Sequence, residues 1–127
     1  MSMDLYHARN YASATALSHR QIVKWGAADY TVTGATAATD QSIGVVDYPH
    51  GSDAGGRVNV QLFGAGRVVY GGAVARGDPL CADAVGRAVK ATPAAGARAW
   101  IIGYAEIAGV AGDEAPVFIQ PQPFIGV

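Results

Sequence analysis

Arg57-Val58-Asn59-Val60-Gln61-Leu62 is the most regular stretch in the chain. Val58, Val60 and Leu62 fall on one side of an extended backbone and Arg57, Asn59 and Gln61 on the other, because successive side chains of a strand point to opposite faces. The stretch therefore predicts a strand with one dry and one wet face. Trp100-Ile101-Ile102-Gly103-Tyr104-Ala105-Glu106-Ile107 is apolar on both faces, as expected of a strand covered by core on one side and by a second sheet or a neighbouring subunit on the other. Working outward, short runs bounded by turn residues predict further strands at 22–25, 30–33, 43–47, 67–70, 79–82, 87–91 and 116–120, with the two quoted stretches extended to 57–63 and 100–108. Among the 127 residues, valine plus isoleucine (21) far exceed leucine plus methionine (6), which favours pleated surfaces. The expected fold is all-β: a small β-barrel or sandwich.

The punctuation agrees. Asp83-Ala84-Val85-Gly86 has Asp first and Gly fourth, which suits a type I turn followed by a left-handed glycine, hence a hairpin. In Gly77-Asp78-Pro79 the proline pushes Asp78 into an extended entry, and Gly64-Ala65-Gly66 reads as another hairpin turn. Asp40, Asp53, Asp78, Asp83 and Asp113 all stand in turns, where a carboxylate accepts backbone hydrogen bonds. There is also an internal echo. Ile43-Gly44-Val45, Ala54-Gly55-Gly56 and Val58-Asn59-Val60 resemble, in the same order, Ile102-Gly103-Tyr104, Ala111-Gly112-Asp113 and Val117-Phe118-Ile119, as if two halves of one barrel shared a plan.

Outside the body, 22–120, the ends read differently. Residues 1–21 show no steady period and are expected to form an extended arm. The C-terminal tail, 121–127, holds prolines that interrupt regular pairing yet ends in apolar residues, as a second docking arm would. Asp4, His7 and Arg9 stand where a secretory signal would be unbroken and apolar, so synthesis in the cytoplasm is expected. Alanine (25) and glycine (17) make up a third of the chain, so the core must be built from modest side chains, and association with other chains is expected to add to it.

Most chemistries are argued against by the residues. A net charge of −1 leaves no basic footprint for nucleic acid, and no apolar run approaches the length needed to cross a bilayer as a helix. Cys81 is the single cysteine, flanked by Leu80 and Ala82 with no activating base, and reads as packing. His7, His19 and His50 are scattered, without metal-ligand spacing. Gly51-Ser52-Asp53 lacks the second glycine of a nucleophile elbow, and Gly64-Ala65-Gly66 lacks the helix needed to cradle a phosphate. Glu106 reads as an ion-pair or subunit-edge residue. No catalytic residue, metal site or cofactor is expected.

From Leu17 to Ile119 the chain resembles the capsid cement, or head decoration, proteins of tailed bacteriophages. The resembling pieces are Leu17-Ser18-His19-Arg20-Gln21-Ile22-Val23-Lys24, Ser42-Ile43-Gly44-Val45, Ala54-Gly55-Gly56-Arg57-Val58-Asn59-Val60, Tyr70-Gly71-Gly72-Ala73-Val74-Ala75-Arg76-Gly77-Asp78-Pro79-Leu80, the 83–86 turn with Arg87-Ala88, Ile102-Gly103-Tyr104-Ala105 and Ala111-Gly112-Asp113. The specificity lies in their order and spacing. The resemblance implies a barrel-like body on the capsid exterior of the virion that clamps neighbouring major capsid protein subunits, often as a homo-oligomer and most often a trimer. It brings no catalytic residue, nucleic acid, membrane or cofactor. Contact candidates are Leu5, Tyr6, Tyr11 and Leu17 on the arm, Trp100 and Tyr104 on the doubly apolar strand, and Phe124 and Ile125 in the tail. Two other readings are a barrel-type carrier of the biotinyl or lipoyl kind, against which the 83–86 turn offers no lysine, and a small-ligand-binding barrel, for which Trp25, Trp100 and Tyr104 could supply an aromatic cluster.

Overall fold

The computed structural model describes residues 8–126, and everything among them is strand, turn or irregular chain, with no helix. Ten strands follow in order: β1 (Ala8–Ser13), β2 (Ile22–Trp25), β3 (Thr31–Gly34), β4 (Ser42–Val46), β5 (Arg57–Gln61), β6 (Gly64–Val69), β7 (Pro79–Ala82), β8 (Ala88–Lys90), β9 (Arg98–Ala105) and β10 (Glu114–Ile125). The first five close into a barrel. β1 pairs antiparallel with β5 and parallel with β3, so neither side of the barrel is left as an open edge.

β6 to β10 form a second sheet in the order β6-β10-β9-β7-β8. This is the barrel's order over again, since around the barrel the strands run β1-β5-β4-β2-β3. The isolated parallel bridge Tyr70↔Ala88 stands where β1 meets β3, and the antiparallel bridge Leu17↔Ser52 recurs as Val74↔Gly109. Backbone hydrogen bonds repeat as well: Gly55 N–H to Ser13 O becomes Gly112 N–H to Tyr70 O, both 2.8 Å. Gly55 (φ 85°) and Gly112 (φ 93°), the middle residues of the echoed Ala-Gly motifs, occupy matching left-handed positions. The echo in the sequence thus corresponds to two halves, 8–61 and 64–125, built on one plan.

The alternation read in Arg57–Gln61 is observed: Val58 and Val60 are fully buried. Together with Tyr11, Leu17, Val23, Val32 and Val46 they fill the first barrel. The largest cluster lies in the second half around Tyr70, Leu80, Ile102, Val117 and Ile119, and it reaches into the first half through Ile22, Ala35 and Val45. A third, smaller cluster of Cys81, Ala91 and Ile101 is flanked by Tyr104, Phe124, Val89 and Ala38. Burial at this level removes water from the apolar side chains that hold the sheets face to face.

Turn chemistry follows the sequence closely. Asp83 Oδ1 accepts the N–H groups of Val85 and Arg87, Gly86 has φ 80°, and the chain reverses between β7 and β8 as a hairpin. Asp40, Asp78 and Asp113 accept backbone N–H groups of Thr36, Ala75 and Val110 at 2.8–2.9 Å.

Three segments differ from expectation. The arm expected at 1–21 contains β1, which lies inside the barrel circuit; its period-two signal rests on Tyr11 and Ser13 alone, the small flanking residues being silent. Of the tail expected at 121–127, residues 121–125 are the second part of β10, paired with β9 through Gln122↔Ile101 to Ile125↔Arg98 after a register shift between Ile119 and Gln122. That irregularity takes up Pro121, which has no N–H to give to a ladder. Gly64-Ala65-Gly66 is no hairpin turn but the start of β6, where the chain leaves the first barrel for the second sheet.

Candidate partner-binding surface

The eight expected contact residues separate by environment. Leu5 and Tyr6 lie outside the described residues. Tyr11 and Leu17, expected as arm anchors, are 4% exposed and belong to the first barrel's core, because the strand that carries Tyr11 is paired on both sides. Both are corrected to core positions. Trp100 is half-buried, its backbone N–H donating to Ala38 O at 2.8 Å. Tyr104 and Phe124 are half-buried against the Cys81–Ala91–Ile101 cluster. Ile125, 55% exposed, is the most open of those described.

The structure adds apolar surface that the sequence reading passed over. Phe118 projects from the outer side of β10, between the inward Val117 and Ile119, and packs edge-on against exposed Phe63, ring centroids 5.3 Å apart at 78°. Register places Ala65, Phe118, Tyr104 and Pro79 side by side across β6, β10, β9 and β7. The result is an apolar row across the second sheet with two phenyl rings at one end. The signal was present in the sequence: Ala115, Val117 and Ile119 alternate inward, which leaves Phe118 on the other face.

A second feature belongs to the first barrel. Arg9, Tyr11, Trp25, Asp29 and Tyr30 border a surface cleft of about 600 Å³. Trp25 is 48% and Tyr30 65% exposed. Trp25 stands edge-on to Tyr11 at 5.6 Å, and the Arg9 guanidinium lies 6.0 Å from the centre of the Tyr30 ring.

Charged groups serve the frame. Arg20 lies 3.4 Å from both Asp47 of the first half and Glu114 of the second, and Glu114 also meets Arg67 at 3.0 Å. Lys24 pairs with Asp40 at 3.1 Å. The Asp40 carboxyl is held below its ordinary range chiefly by the Thr36 N–H and then by Lys24. Burial pushes the Cys81 thiol up, with Asp83 adding to the effect, which disfavours the thiolate a nucleophile needs. Among the described residues no three His, Cys, Asp or Glu side chains gather as a metal site, and no helix is long and apolar enough to cross a membrane.

Two like-wound β units joined in one body, with an apolar row across the outer side of the second sheet, make a small all-β module. No family model matches the chain, and no curated protein does. Among solved structures it is similar to the head fiber gp8.5 N base of bacteriophage phi29: 19% identical, with 89% of this chain and 92% of that chain covered and a TM-score of 0.67. At that identity the likeness establishes the fold.

Proposed function

We propose that this protein is a structural component of a bacteriophage virion that binds the outer surface of the assembled head and stabilises contacts between major capsid subunits. The observation that carries this reading is the fold shared, over nearly the full length of both chains, with the base of a phage head fiber. The apolar row of Ala65, Phe118, Tyr104 and Pro79, with Phe63, is the surface proposed to meet the capsid or a second copy of the chain, and exposed Ile125 with Leu5 and Tyr6 are proposed as further anchors. Such a clamp shifts the shell toward its mature form only by binding that form better than the immature or broken one. Association of copies, for instance as a trimer, would multiply modest contacts by linking them.

The test is a binding titration on purified, expanded heads with the Phe118→Ser variant. Occupancy is expected to fall about tenfold at fixed concentration while the unfolding midpoint stays close to that of the parent protein. Unchanged occupancy would remove this face from the interface, and failure of the parent protein to bind heads would refute the reading. The likeness to a head fiber base favours a second reading, in which the module is the capsid-proximal base of a longer projection. Copy number separates the two, because a cement fills a whole class of lattice positions whereas a projection base is found at each projection only.

A further inference from the structure

The two halves differ at the cleft bordered by Arg9, Tyr11, Trp25, Asp29 and Tyr30. In the first half, Gly26 N–H bonded to Thr31 O closes the loop between β2 and β3; in the second, Asp83 N–H bonded to Arg87 O closes the loop between β7 and β8. The residue before each acceptor takes the left-handed conformation. In the second half it is Gly86, with φ 80°, and in the first it is Tyr30, with φ 55°. A bulky residue there is strained where glycine is not. Trp25, opposite Val32, likewise corresponds to Ala82, opposite Ala88. The first half therefore carries two large rings where the same plan, executed again, uses Gly and Ala.

Neither ring is placed there for the core. Tyr30 is 65% exposed, with the Arg9 guanidinium 6.0 Å from the centre of its ring. Trp25 is 48% exposed, held in orientation by the buried Tyr11 ring beneath it. Local strain that folding does not require, at an exposed residue bordering a cleft, is a mark of a binding site.

We propose that this cleft binds a neutral saccharide. Flat aromatic faces suit the C–H faces of a pyranose ring, and the guanidinium and carboxylate beside them can satisfy hydroxyl groups, which both donate and accept hydrogen bonds. An anionic ligand fits less well, because the single guanidinium is accompanied by the Asp29 carboxylate. An extended peptide added as a strand has no edge to join, since β2 and β3 are each paired on both sides. The site is independent of the apolar row on the second sheet and of the capsid reading.

The experiment is proton–nitrogen correlation NMR on the full chain, following the indole signals of Trp25 and Trp100 during titration with cellotetraose, chitotetraose, maltotetraose and mannotetraose, and with a proline-rich peptide. At least one tetrasaccharide is expected to move the Trp25 signal saturably and leave Trp100 unmoved. Tyr30→Gly is expected to weaken that binding about tenfold while raising the thermal midpoint by about 3 °C, since strain is removed. A panel in which no sugar moves Trp25, movement by the peptide alone, or a Tyr30→Gly variant with a lowered midpoint would each overturn the proposal.

Discussion

The two halves share a strand order but not a way of holding it. The first closes its circuit with a parallel pairing of β1 and β3 over two residue pairs and fills it with its own valines. The second has only the Tyr70↔Ala88 bridge at the matching place, and its core is completed by Ile22, Ala35 and Val45 from the first half. Closure in one unit is replaced in the other by a shared seam. β2 shows how: Val23 points into the first barrel and its neighbour Ile22 into the seam, both fully buried. Truncating Ile22 to Ala should therefore destabilise the whole molecule by about 4 kcal/mol, through lost burial and a cavity. Thermal unfolding should remain a single transition in calorimetry, with calorimetric and van't Hoff enthalpies in agreement. Two resolved transitions would show that the halves unfold separately and that the seam is no more than a contact.

A smaller contrast lies where the halves anchor their long loops. Ser13 donates its hydroxyl to Asp53 O at 2.9 Å, and Tyr70, its counterpart, donates to Ile107 O at 2.7 Å. In the closed barrel the short serine side chain makes this bond; in the half whose circuit is not closed, a fully buried tyrosine ring reaches a different point of the corresponding loop. Tyr70→Phe should cost about 1.5 kcal/mol, because the ring still packs while the Ile107 carbonyl loses its partner. Burial, with smaller contributions from Asp78, Asp113 and Glu106, raises the Tyr70 hydroxyl above its ordinary range. A raised folded value means stability that is complete below the unfolded pKa of about 10 and is lost as pH rises from there through the folded value. The parent protein should thus lose stability more steeply in alkali than Tyr70→Phe, as read from denaturant midpoints across that range. Parallel curves would place the hydroxyl outside the stability balance.

The legible parts of the fold were those with strong period or strong turn chemistry. The Arg57–Gln61 alternation and the Asp83–Gly86 turn each determine their structure locally, and the paired Ala-Gly motifs marked the repeat. The illegible parts were settled by partners distant in sequence. Ala8–Ser13 is a strand because β3 and β5 flank it, not because its small residues prefer one. Gln122–Ile125 pairs despite its prolines because the register shift after Ile119 lets it. The contact candidates fared according to the same rule. Large apolar residues in irregular stretches read as free anchors, yet Tyr11 and Leu17 lie in the core, while Phe118, within a well-formed alternation, lies on the outer face.

The finest distinction between the halves is a single backbone position. Arg20 has φ 71°, and Gly77, which follows the same turn in the second half, has φ 89°; the preceding turns match, Ser18 N–H bonding to Gln21 Oε1 as Ala75 N–H bonds to Asp78 Oδ2. Glycine removes the strain, whereas arginine retains it and reaches both Asp47 and Glu114, one in each half. Its Nε lies 3.4 Å from Glu114 without the alignment of a hydrogen bond, so the attraction is coulombic and partly screened. Strain of about 1 kcal/mol and two such pairs of about 0.5 kcal/mol each are of equal size and opposite sign. Arg20→Gly should therefore change stability by less than about 0.5 kcal/mol, while Arg20→Ala, which keeps the strain and loses both pairs, should cost about 1 kcal/mol. Denaturant unfolding of the two variants side by side checks this. Equal losses would mean that the backbone at this turn is unstrained and that the ion pairs across the seam alone account for the arginine.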